Sequence, residues 1–117
     1  MPSKHARLRL LDIIDNIDAV TTYTSGMKEA DFVATNLVAD AVERCLGRIS
    51  EAAKKLGSTA DTLAPGQPWR KIRGFGNILR HEYQLVRRDL VWGIVATLPS
   101  LREACERAIA ALDAQQA

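Results

Sequence analysis

Apolar residues recur at helical spacing along most of the chain, and no stretch alternates in the two-residue rhythm of a strand. Leu10, Ile14 and Ile17, flanked by Leu11, Ile13 and Val20, predict a first helix from about Lys4 to Thr22. Asp12, Asp15 and Asp18 sweep the adjacent face and read as its solvated side. Thr24-Ser25-Gly26 breaks the pattern and can cap the next helix. A second and longest helix is expected from Met27 or Lys28 to Leu56. Its buried stripe comprises Phe32, Leu37, Val38, Ala41, Val42, Cys45, Leu46, Ile49, Ala52, Ala53 and Leu56. Gly57 closes it as a C-terminal cap, after Lys54 and Lys55, which suit the negative end of the helix dipole. Gly47 lies mid-helix, where it is unfavourable unless another backbone packs closely against it.

The second half is more interrupted. Ser58-x-x-Asp61 can begin a short helical turn, and Pro65-Gly66-Gln67-Pro68 is the clearest loop in the chain. A helical pattern weakened by Gly74 and Gly76 runs from Trp69 to about Glu82. Asp89 is a suitable N-cap for a helix over Leu90 to Ala96, and Ser100-x-x-Glu103 after Pro99 forms a capping box for a last helix ending near Leu112. The expected architecture is all-α: one domain over residues 1–117, an antiparallel bundle of four to five helices without internal repeats.

Composition narrows the function classes. A chain of 117 residues buries roughly two-thirds of its unfolded surface, so no disulfide or metal staple is needed. Cys45 and Cys105 fall inside helical patterns and read as buried free thiols of a reducing cytoplasm. The N-terminus shows no export signal, and the apolar stretch Leu90 to Leu98 is far short of the roughly twenty residues of a membrane span. Two histidines, His5 and His81, are too few for a zinc cluster at usual spacings, so no metal and no cofactor are expected. Gly74-x-Gly76 lacks the strand and further glycines of a phosphate loop.

The net charge of +2 says little, but its distribution does not. Arg70, Lys71, Arg73, Arg80, Arg87 and Arg88 are six of the sixteen cationic side chains and fall within residues 70–88, opposed there only by Glu82. Such a run is either a solvated face or a phosphate-binding one. On a helix, Arg73, Asn77, Arg80 and His81 fall within about a third of the circumference. That face offers guanidinium groups for a phosphate, an amide for hydrogen bonding and an imidazole that neighbouring positive charge keeps neutral. The set suits metal-free RNA cleavage, in which a base takes the 2′-hydroxyl proton and cations stabilise the charge developing on phosphate. Arg70, Lys71 and Arg80 are candidate RNA-phosphate contacts; His81, Arg73 and Asn77 are candidate catalytic residues.

The run Trp69-Arg-Lys-Ile-Arg-Gly-Phe-Gly-Asn77-Ile-Leu-Arg-His81-Glu-Tyr83, followed by Val91-Trp92 and Leu98-Pro99, resembles the C-terminal half of HepT-like HEPN proteins. Their hallmark is an Arg-Asn pair with a His-x-Tyr four residues on. Asp40-Ala-Val-Glu-Arg44, continuing to Ile49-Ser-Glu51-Ala-Ala, resembles the family's long second helix, and the likeness extends from about Phe32 to Leu101. The resemblance implies a helical homodimer with two Arg–His motifs facing one another across an RNA-cleaving cleft. It implies a toxin whose antitoxin is an MNT-type nucleotidyltransferase, able to attach AMP to the tyrosine of His-x-Tyr. By position His81 is then the catalytic imidazole, Asn77 the motif amide and Tyr83 the modification site.

This chain departs from the family at one motif position: Gly76 stands where the arginine is expected. Arg73, one turn earlier, or Arg80, one turn later, could deliver a guanidinium to nearly the same place. The alternative is a non-catalytic dimeric module that binds the nucleotidyltransferase through the same basic segment. Gly74 and Gly76 would permit close approach of the two 70–88 segments in a dimer.

Overall fold

The computed structural model describes the backbone of residues 2–81 and 87–116 and the side chains of residues 5–79 and 87–116. Among the described residues there are seven helical segments and no strand. They are α1 (Pro2–Tyr23), α2 (Glu29–Ala34), α3 (Asn36–Leu56), α4 (Thr59–Leu63), α5 (Trp69–His81), α6 (Arg88–Val95) and α7 (Leu98–Gln115). The all-α bundle expected from the periodicity is present. α3 is its spine, packed against both α1 and α5, while α7 lies on α1 and α2 touches α6.

The core follows the apolar stripes. Leu10, Ile13, Ile17 and Val20 of α1 meet Val42, Leu46, Ile49 and Ala53 of α3, and Leu98, Leu101 and Cys105 enter from α7. Burying each large aliphatic side chain contributes about 1.5–3 kcal/mol, so these three helices hold most of the favourable term. The acidic row on α1 is a solvated, ion-paired face. Arg9 Nη1 lies 3.0 Å from Asp12, Arg102 Nε lies 2.6 Å from Asp18 on the α7 side, and Asp15 is exposed. Arg7 Nε donates to Asp113 at 2.8 Å, a second α1–α7 pair.

Three helix boundaries and one buried position differ from the sequence reading. The expected single helix from Met27 or Lys28 to Leu56 is two, because Thr35 leaves the helical region at φ −111°, ψ 93°. Its hydroxyl donates to the Asp31 carbonyl at 2.7 Å, and its own carbonyl accepts from Ala39 N–H at 3.0 Å to start α3. The break also resets the rotation of α3. Leu37, expected in the buried stripe, is instead 80% exposed, while Ala39, Val42, Cys45, Leu46 and Ile49 point inward. Asp89 is not the cap of α6. Arg87 holds that position, and Asp89 sits in the first turn with its carboxylate accepting from Arg87 Nη2 at 2.7 Å. The Ser100–Glu103 capping box does not form, because α7 already starts after Thr97 with Pro99 in its first turn. Ser100 Oγ accepts from the Gln67 side chain instead, at 3.2 Å. The short turn after Ser58 appears as α4, and Gly57 closes α3 at φ +56°, a backbone conformation glycine adopts readily.

Candidate functional site

α5 is held by its buried edge. Trp69 is almost fully buried, and its Nε1–H donates to the Ala64 carbonyl at 2.9 Å, fixing the start of the helix to the end of α4. Ile72 and Phe75 follow it into the core. One turn later the contact changes character. Ser50 of α3, the buried polar residue of the core, donates its hydroxyl to the Arg73 carbonyl at 2.8 Å and accepts the Gly76 N–H at 3.2 Å. α3 therefore reads the backbone of α5, at the point where α5 carries no side chain.

The opposite edge of α5 holds three of the residues the sequence singled out. Arg70, Lys71 and Asn77 are exposed. Arg73 is half-buried, and its Nη1 donates at 3.4 Å to the Gly57 carbonyl just past the end of α3, an oxygen that also accepts the Ala60 N–H at 3.2 Å. The helix backbone reaches His81, but the side chains of Arg80 and His81, and the whole of Tyr83, lie outside the described residues. Two further cations of the basic run have structural partners. Arg87 bonds Asp89, and Arg88 bridges the α2–α3 break, donating to the Val33 carbonyl at 2.6 Å and to Asn36 Oδ1 at 2.5 Å.

Beside Gly76 lies a groove of about 370 Å³ between α3 and α5, lined by Glu43, Arg44, Gly47, Arg48, Ser50, Glu51, Gly76 and Leu79. No neighbouring backbone packs closely against Gly47 among the described residues: a Cβ at that position would meet nothing within 4 Å. Gly47 opens the groove rather than admitting a neighbour. Arg44 and Arg48, one turn apart on α3, are exposed along it and make no ion pair among the described residues. The sequence reading passed over both, since nothing local separates them from other solvated arginines. Burial raises the Glu43 carboxyl above the ordinary glutamate range, Asp40 adds to the rise, and Arg88 opposes it. Burial likewise raises the Cys45 thiol, with the Arg48 charge opposing. Cys105, against α1, is pushed up to about 12 by burial alone. Neither thiol is poised as a nucleophile.

A family model described as "Ribonuclease HepT-like" matches residues 13–108. The chain belongs to the HepT-like ribonuclease family. It is 28% identical to "Putative RNase MJ1216" of Methanocaldococcus jannaschii, over 93% of this chain and 91% of that protein. It is 30% identical to "Probable ribonuclease HepT" of Thermococcus cleftensis, over 84% of this chain and 90% of the relative. No solved structure gave a significant match. In this HepT-like chain the α5 face bearing Arg70 and Asn77 stands clear of the core. Among the described residues no cluster of three His, Cys, Asp or Glu side chains is placed to hold a metal, and no helix is long and apolar enough to cross a membrane.

Proposed function

We propose that the protein is a metal-independent endoribonuclease acting as the toxin of a pair, with an MNT-type nucleotidyltransferase as antitoxin. The observation that carries this reading is the division of α5 in a HepT-like chain. Trp69, Ile72, Phe75 and Gly76 face the bundle, while Arg70 and Asn77 face outward on the side of the helix that His81 shares by its spacing. His81 takes the proton from a ribose 2′-hydroxyl. The 2′-oxygen attacks phosphorus, the bond to the 5′-oxygen breaks, and that oxygen leaves with a proton, giving a 2′,3′-cyclic phosphate. Asn77 hydrogen-bonds a phosphate oxygen, and Arg70, Lys71 and Arg80 hold the flanking backbone. Arg73 contributes to the catalytic face by moving its weak 3.4 Å bond from Gly57 to the phosphate. Two chains pair through α5 so that their motifs share one cleft, in the cytoplasm, and AMP attached to Tyr83 adds bulk and negative charge that block it.

The purified protein should cleave single-stranded RNA in EDTA and leave 2′,3′-cyclic ends. His81→Ala should lower the rate about 10²–10⁴-fold. Cleavage unchanged in His81→Ala would assign the activity to a contaminant. Coexpression with the neighbouring nucleotidyltransferase should add the mass of one AMP, and Tyr83→Phe should abolish that addition. Gly76 and the seating of Arg73 on Gly57 favour a second reading, a dimeric binding module without catalysis. Absence of cleavage by the wild type, with nucleotidyltransferase binding intact, would select it.

A further inference from the structure

We propose that Arg44 and Arg48 form a phosphate-binding pair in the α3–α5 groove, where the backbone of single-stranded RNA enters the site. This rests on the ribonuclease reading and adds a surface to it. Gly47 leaves the groove without a side chain at one of its lining positions on α3, where a Cβ would meet nothing within 4 Å, so an elongated ligand can lie against that helix. The cation absent from α5 at Gly76 is present across the groove on α3.

Arg44 and Arg48 are spaced i, i+4, about 6 Å apart along one face. Planar guanidinium groups bind phosphate through paired hydrogen bonds, and neither of these two is committed to a carboxylate among the described residues.

The groove also continues. Arg48 and Glu51 line a second depression of about 260 Å³ with Arg9, Asp12, Asn16 and Lys55. Arg9 and Lys55 then line a third of about 310 Å³ with His5 and Thr59. From Arg44 to Lys55 the track runs along α3 for about 16 Å. Its carboxylates are partly answered within the protein: Asp12 pairs with Arg9 at 3.0 Å and Glu51 with Lys54 at 4.0 Å. A track with cations at turn-length intervals suits a polyanion better than a single small anion.

The test is fluorescence anisotropy with a labelled single-stranded RNA, fully 2′-O-methylated so that it cannot be cleaved, across a salt series. Arg44→Gln/Arg48→Gln should weaken binding about tenfold or more and reduce the slope of log affinity against log salt by about 1.4, two phosphate contacts' worth for a single strand. Arg44→Lys/Arg48→Lys should restore the slope but only part of the affinity. Arg107→Gln, a charge removal on α7, should stay within about twofold of wild type. Melting temperatures of the three variants confirm that each is folded. The proposal is overturned if the double glutamine variant binds as wild type does, if Arg107→Gln loses as much, or if wild type does not bind the RNA. It is also overturned if the double variant keeps RNA binding and loses only the nucleotidyltransferase, which would make the groove a protein-docking surface. Wild type that binds through the pair yet cleaves nothing keeps the groove and removes the ribonuclease reading. Wild type that cleaves, with a double variant equal to it in binding and turnover, does the reverse.

Discussion

Ser50→Ala tests how α5 is held. The substitution removes one buried oxygen and leaves the space otherwise filled, so packing changes little. What is lost is the donation to the Arg73 carbonyl at 2.8 Å and the acceptance from Gly76 N–H at 3.2 Å. A net contribution of about 0.5–1.5 kcal/mol for each bond gives about 1–3 kcal/mol for the pair. The upper half of that range applies if the buried Gly76 N–H finds no substitute acceptor. With an unfolding entropy of about 2.1 cal/mol/K per residue, a chain of 117 residues loses about 4 °C in Tm for each kcal/mol. Thermal unfolding monitored by circular dichroism should therefore show a drop of about 4–12 °C. Amide hydrogen exchange adds the local reading. The Gly76 amide should exchange faster in the variant than in wild type, beyond what the global loss explains. A Tm within about 1 °C of wild type, or unchanged relative protection at Gly76, would refute the anchoring role.

Three other substitutions have defined outcomes. Trp69→Phe keeps an aromatic ring but strands the Ala64 carbonyl, and should cost about 2 kcal/mol in a urea titration; less than about 0.5 kcal/mol would mean that the bond is replaced. Glu43, raised by burial and by Asp40, loses its charge on acidification before an ordinary glutamate does, so RNA binding to wild type should tighten more steeply below neutral pH than binding to Glu43→Gln. The ionised form is the disfavoured one in the fold, so Glu43→Gln should also be the more stable protein at neutral pH and lose that advantage in acid; equal pH profiles would contradict both statements. Asp18 is held below the usual carboxylate range by its hydrogen bond from Arg102, so its stabilisation is complete above about pH 4 and disappears as pH falls through the lowered value. The stability gap between wild type and Asp18→Asn should close over that acid interval, and a gap independent of pH would show that the pair acts through packing instead.

The long stripes on α1 and α3 were legible because each buries one continuous face, which 3.6-residue spacing records directly. The break at Thr35 was not. Val33, Leu37 and Val38 keep an apolar pattern running through it, and the event that ends α2 is a hydroxyl turning back on Asp31, which leaves no trace in periodicity. The caps at Asp89 and Ser100 were misread for a related reason: both residues have the right chemistry, but Arg87 and Gln67 claim their side chains. The outward face of α5 was readable from Asn77 and the cations around it. Arg44 and Arg48 were not, since only the docking of α5 on Ser50 brings them beside Gly76. The position of Arg73 depended on a bond to the Gly57 carbonyl, sixteen residues earlier and just past the end of another helix.

That docking has a consequence for how the surface can change. Ser50 grips main-chain atoms, which every residue type but proline supplies, and the other anchors of α5 lie at Trp69, Ile72 and Phe75 on its inner edge. Substitutions at residues 70, 71, 77 and 78 alter the outward chemistry without removing any of these attachments. Chemistry and attachment are thus written at different positions of one thirteen-residue helix. A library randomised at those four outward sites should stay folded while its members diverge in what they bind, which makes this helix a natural starting point for changing specificity on a constant frame.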